Sequence, residues 1–209
     1  MKKFLILIFL LASCTPPAKT TTQPQIVTVY STSAANPWLV ELFSCAESLN
    51  AVINISADSP DILLRVGEPE PLVSPAYQVG KDELLVIVHQ DSPLQDLTLE
   101  EVQSLFSAQE NSTTQVWVYA SDADIQVLFE QAVMEGRIVT SFAKVAVDSQ
   151  RMLEAVESES NSVGFILRGS VNSGQAYREV YSASDVPVLA LTQVEASGII
   201  RDLISCLSK

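Results

Sequence analysis

Histidine is almost missing from this chain: His89 is the only one in 209 residues. Three cysteines do not make up for it, since no two stand at zinc-ligand spacing, and no acidic loop of calcium-binding type occurs, so no metal centre is expected. The chain also lacks a Gly-x-Ser-x-Gly elbow. A Ser-His-Asp hydrolase would have His89 as its only base and no strained turn to present the nucleophile, so no enzyme and no cofactor are expected. Basic residues are few, 12 Lys and Arg against 25 Asp and Glu, for a formal net charge of −13. Such a balance argues against nucleic acid and against broad contact with an anionic membrane. It also makes drawing an anion into a cleft costly unless local donors overcome the repulsion. There is no internal repeat and only one long apolar run.

That run lies at the start. Lys2 and Lys3 precede an apolar stretch over 4–12, which ends in Leu11-Ala12-Ser13-Cys14. A basic n-region, an apolar segment too short to span a bilayer and a Leu-Ala-Ser-Cys site make a bacterial lipoprotein signal, with Cys14 as the lipidated first residue of the mature chain. An extracytoplasmic protein anchored to the cell membrane is therefore expected, with residues 1–13 as signal and 14–24, rich in Thr and Pro, as a solvated tether. Loss of Lys2 and Lys3, with no acid removed, takes the net charge to −15. Roughly 185 residues remain, enough for one large domain or two small lobes. Two cysteines, Cys45 and Cys206, are left over; in an exported chain they suggest a bridge, the alternative being two buried free thiols.

Strands are read at 26–30, 51–55 and 62–66, then, after a turn-rich break at 67–71, at 84–88, 115–119, 145–147, 163–167 and 188–191. Between them fall amphipathic helices. The first starts at Asn36-Pro37, with Asn36 as N-cap and Trp38, Leu39, Leu42, Phe43, Ala46 and Leu49 on one face. The second opens on the capping box Thr98…Glu101 and buries Leu99, Val102, Leu105 and Phe106. The third follows Ser121-Asp122-Ala123-Asp124 and buries Ile125, Leu128, Phe129, Ala132 and Val133, with Gly136 closing it. A fourth carries Met152, Leu153 and Val156. The last opens on a second capping box, Thr192…Glu195, and buries Ala196, Ile199, Ile200, Leu203 and Leu207. Strands alternating with amphipathic helices make an α/β protein.

Two stretches carry a family resemblance. KDELLVIVHQDSPLQDLTLEEVQSLFSA at 81–108 resembles the phosphate-type family of ABC-transporter substrate-binding proteins, in which a strand ending in Asn-Pro precedes a similar helix. VDSQRMLEAVESESNSVGFI at 147–166 resembles the segment that returns the chain to the first lobe in that family. The resemblance implies a two-lobe, type II periplasmic-binding-protein-like fold with a ligand cleft between the lobes. Lobe one would be 25–80 with 169–209, lobe two 81–168, and the hinge would lie near 79–83 and 167–170. It also implies that Cys45 and Cys206, in the first and last helices, both belong to lobe one and can meet.

The same resemblance picks out candidate ligand residues. Ser31, Thr32 and Ser33 fall where the family has its first Ser/Thr-rich binding loop, although small polar residues suit any strand-to-helix loop. Arg65 and Glu68 flank the end of the 62–66 strand; an arginine in so acidic a chain also suits a surface ion pair. His89 stands where the family usually has Asn. Tyr119 sits at a core-like position just before the acidic loop, close enough in sequence to stack on a ligand. Ser121 and Asp122 fall within the family's arginine- and glycine-containing phosphate loop, but here both the arginine and the glycine are absent and carboxylates stand instead. Those carboxylates suit helix caps and repel an anion. The expectation is thus a monomeric, lipid-anchored receptor that captures a small solute, with a phosphate-like oxyanion disfavoured, and delivers it to an ABC permease. A binding-fold lipoprotein serving as a sensory or protein-interaction domain is the alternative.

Overall fold

The computed structural model describes residues 23–107, 113–171 and 176–208. Cys14, the signal and most of the tether lie outside the described residues. In chain order the elements are β1 (Gln25–Ser31), α1 (Asn36–Ser48), β2 (Ala51–Ile55), β3 (Ile62–Val66), β4 (Ala76–His89), α2 (Leu99–Phe106), β5 (Gln115–Val118) and α3 (Asp124–Phe129). A π turn (Glu130–Met134) continues α3, and then come β6 (Lys144–Val145), α4 (Ser149–Ser158), β7 (Ser162–Leu167), β8 (Tyr177–Leu191) and α5 (Gly198–Leu207).

All eight strands join in the order β2-β1-β3-β8-β4-β7-β5-β6. β1 pairs parallel with β2 and β3, and β5 pairs parallel with β6 and β7. Between these two parallel sets run the long antiparallel strands β4 and β8, matched from Ala76↔Leu191 to His89↔Tyr177. Their two ends serve different neighbours: residues 188–191 of β8 pair with β3, whereas residues 84–88 of β4 pair with β7. The change of neighbour coincides with a register irregularity between Asp82 and Leu84 and with a left-handed Asp185 (φ +64°). The ladder therefore puts residues 177–183 beside 84–89, so the change of partner on the return strand falls near 183–186 and not at 167–170. Sequence patterning missed this because it read only 188–191 as strand. Residues 177–187 carry Arg178, Glu179, Ser182, Ser184 and Asp185, and their extended form comes from pairing with β4 and not from an apolar run.

Each parallel set has its own packing. Val27, Val29, Ile62, Leu64 and Val66 are buried; α1 packs on β2 and β3 and against α5, to which the Cys45–Cys206 disulfide joins it. In the other half Phe129 stacks on Phe165 at 4.0 Å, with Phe106 and Tyr119 edge-on or tilted around them. Leu84–Val88 is buried throughout, as a short apolar run in a central strand should be. Gly80 is required by a close approach: a Cβ there would lie 1.9 Å from the Trp38 ring.

Local expectations fail where tertiary contacts intervene. Ala35, not Asn36, is the N-cap of α1, because a turn closed by the Ala35 N–H to the Thr32 carbonyl (3.1 Å) leads straight into the helix. Phe43 is 46 % exposed; the buried stripe is Leu42, Cys45 and Ala46, turned toward α5. Ala132 is exposed because the π turn widens the spacing and brings Val133 and Met134 inward. The second capping box does not form. Thr192 N–H donates to the Pro75 carbonyl, continuing the ladder, its hydroxyl donates to the Val194 carbonyl, and Ala196 N–H is taken by the Tyr77 hydroxyl. α5 starts only at Gly198, whose φ of +54° admits glycine without strain.

Candidate functional site

The carboxyl end of β1 faces the carboxyl end of β5 across a hollow of about 230 Å³. Its walls are Thr32, Ser33 and Ala34 of the β1–α1 loop, Tyr119 and residues 122–125 after β5, and Val147 and Ser149 ahead of α4, with Tyr30 at the side. A second hollow of about 360 Å³ shares Ser33 and Ser149 with it and reaches Asn36, Asp148, Gln150 and Ser170. Asp148 caps α4 by accepting from the Arg151 N–H (2.8 Å), so the helix is anchored with its first residues on the cleft.

Asp124 is the best-connected polar residue here and is 7 % exposed. Its Oδ2 accepts from the Thr32 hydroxyl (2.7 Å) and from the Val66 N–H (2.8 Å), and its Oδ1 from the Ile125 N–H (3.0 Å). Thr32 and Val66 belong to the half built on β1 and β3, Asp124 to the half built on β5. One side chain thus links the two. No ion pair among the described residues involves Asp124, and no Lys, Arg or His lines the hollow.

Tyr119 is the second notable group. Its ring is packed edge-on to Phe165 and it is 5 % exposed, yet its hydroxyl has no hydrogen-bond partner. Burial, and after it the nearby Asp148, raise the phenol's pKa well above its usual value; Ser149 stands near enough to offset part of this but does not meet hydrogen-bond geometry with the hydroxyl. The phenol is therefore a neutral donor and acceptor, buried in the wall of the hollow. An orphaned buried hydroxyl costs about 1–3 kcal/mol, which a ligand's polar group would recover.

The sequence candidates divide. Thr32, Ser33, Tyr119 and Asp122 line the hollow. Ser31 lies beside it but spends its hydroxyl on the Thr32 carbonyl (3.1 Å). Ser121 is exposed and is not in the wall, and neither it nor Asp122 caps α3, whose N-cap is Ala123 without a side-chain bond. Arg65 folds back to the Val66 and Gly67 carbonyls (3.4 and 3.1 Å), bracing the turn that follows β3, and Glu68 is exposed. His89 is at the opposite end of the sheet, where β4 meets the start of β8, and its Nδ1 accepts from the Asp91 N–H (3.1 Å). Asp124, Tyr30, Val147 and Ser149 were not singled out. For Asp124 the signal was present in the acidic loop, but its partners lie 58 and 92 residues away. Among the described residues no group of three His, Cys, Asp or Glu could hold a metal ion, and no helix is long and apolar enough to cross a membrane.

No family model and no curated protein matches the chain. Solved structures do. A Clostridium perfringens protein described as a phosphate ABC transporter substrate-binding protein, solved with phosphate bound, superposes with a TM-score of 0.73 at 14 % identity, over 88 % of this chain and 93 % of that one. An ABC-type phosphate transport receptor from Vibrio cholerae gives 0.65 at 17 %, over 88 % and 94 %. The reduced regulatory domain of OxyR2 from Vibrio vulnificus gives 0.69 at 11 %, over 89 % and 95 %. At such identities the likeness is one of fold, and it covers binding proteins and regulatory domains alike. The chain has the type II periplasmic-binding-protein-like fold, two α/β lobes around a cleft.

Proposed function

We propose that this protein is a lipid-anchored extracytoplasmic receptor that captures a small, uncharged polar solute in the cleft beside Tyr119. A ligand bridging both lobes favours the closed state by its differential affinity, and an ABC permease would recognise that state. The observation that carries the reading is the buried, unpartnered Tyr119 hydroxyl in the wall of an inter-lobe hollow that no basic residue lines. Asp122 and Asp124 oppose a free anion there by like charge, so the phosphate of the structural neighbours is a poor fit. The lipobox ending at Cys14 supports anchoring, and the fold supports capture without chemistry.

A panel of sugars, polyols, amides, amino acids, amines and oxyanions screened by thermal shift tests this directly. A neutral polar compound is expected to raise the unfolding temperature, and Tyr119→Phe to weaken it roughly 2–10-fold, the worth of one net hydrogen bond. A response confined to oxyanions, or none to any compound, would remove the proposal. The second reading, a sensory domain without transport, is favoured by one observation: the chain's own Asp124 side chain joins the two halves through Thr32 and Val66.

A further inference from the structure

We infer that Thr32 and Val66 form an oxyanion-binding position which this chain fills with its own Asp124 carboxylate. The inference goes beyond solute capture at Tyr119 and stands on different atoms.

Two donors on the β1–β3 lobe, the Thr32 hydroxyl and the Val66 N–H, converge on a single oxygen, Asp124 Oδ2, at 2.7 and 2.8 Å. The carboxylate they hold is nine-tenths buried and has no cation beside it among the described residues. A buried carboxylate normally needs a counter-charge or a full set of donors, and here donors alone supply it. Such convergent N–H and O–H groups are how backbone and hydroxyl sites hold free anions. In this protein the anion arrives covalently attached to the opposite lobe, so it never has to be recruited against the charge of an acidic chain. A tethered group competes at high effective concentration, and a free oxyanion in solution is displaced. The Val66 N–H is presented from the end of β3, just ahead of the turn that Arg65 braces through the Val66 and Gly67 carbonyls.

Removing the Asp124 carboxylate should therefore leave a vacant, formate-sized position that opens on the 230 Å³ hollow. The experiment is the full mature chain with Asp124→Ala, titrated with sodium formate and, separately, with inorganic phosphate, against sodium chloride at matched ionic strength. A saturable rise in unfolding temperature is expected with formate, about 3–6 °C at ten times Kd, absent in the wild-type protein and lost again when Thr32→Val is added to Asp124→Ala. A response to phosphate as well would show that the position admits an anion extending into the hollow; a response to formate alone would confine it to the carboxylate's own volume. A wild-type response equal to the variant's would overturn the inference, because the position would then be open to free anions. So would a folded Asp124→Ala that responds to neither anion beyond chloride. Should Asp124→Ala not fold alone, dilution from urea into formate or into chloride reads the same question by recovery of protease resistance: recovery in formate only is expected, and equal failure in both salts sinks it. Either result leaves the Tyr119→Phe comparison intact, so the two readings fail separately.

Discussion

Tyr119 and Asp124 show how much of this site is decided by single groups that meet partners far along the chain, or none. Tyr119 is a core aromatic by its ring and a wall residue of the hollow, and its hydroxyl is buried there without a partner. Its raised pKa has a measurable sign. The unfolded phenol ionises near 10.0 while the folded one stays protonated to well above that, so the folded state binds more protons and stability falls as pH rises past about 10. Below that pH the contribution is fully present. Urea unfolding from pH 8 to 11 should show this decline, and Tyr119→Phe should flatten it by up to one proton; an unchanged slope would place the hydroxyl in solvent. At this scale the sequence was a partial guide. It located the acidic loop at Asp122 and Asp124, but not which carboxylate turns inward, because that choice depends on Thr32 and Val66, which are remote in sequence.

Elements fare better when their signals are local. The helix Leu99–Phe106 begins where Thr98 and Glu101 said it would: the Thr98 hydroxyl accepts from the Glu101 N–H (3.3 Å) and Glu101 Oε2 accepts from the Thr98 N–H (2.8 Å). Those bonds to the Thr98 backbone and side chain hold the Glu101 carboxyl below its usual range. Thr98→Ala should lower stability by about 0.5–2 kcal/mol in denaturant unfolding, and the loss relative to wild type should shrink in acid as Glu101 protonates. An unchanged midpoint would show the box to be incidental. The same motif at Thr192…Glu195 is silent, since Pro75 and Tyr77 take the hydrogen bonds that a helix start would have used. Identical local grammar gives a helix in one place and an extended strap in the other. The difference is a neighbouring strand edge, which supplies partners that the isolated segment lacks.

For the whole molecule, the long β4–β8 ladder and the Cys45–Cys206 bridge set the architecture. The ladder carries the chain between the two parallel sets, and around its irregularity Asp82 accepts from the Gly169 N–H (3.0 Å) while Arg168 pairs with Glu83 and Glu179. The disulfide closes a loop of sequence separation 161, joining the first helix to the last. Replacing both cysteines by serine should cost about 2–5 kcal/mol in urea unfolding, chiefly by freeing the unfolded chain. Because neither cysteine lines the hollow at Tyr119, the ligand response of the folded double variant should match wild type; a lost response would mean that the disulfide also shapes the site.

What the sequence determined by itself is the succession of strands and helices and the α/β class. Apolar period, caps and turn residues act within a few positions and need no partner to be read; Leu84–Val88 and the Thr98 box are the clearest cases. Only the tertiary structure decided where the strands change neighbours, which helix start forms, and that Asp124 fills the donors at Thr32 and Val66 while Tyr119 is left with a buried, unpartnered hydroxyl. Each of those outcomes is a competition for hydrogen bonds between groups distant in the chain, and such competitions are settled only when packing brings the competitors together.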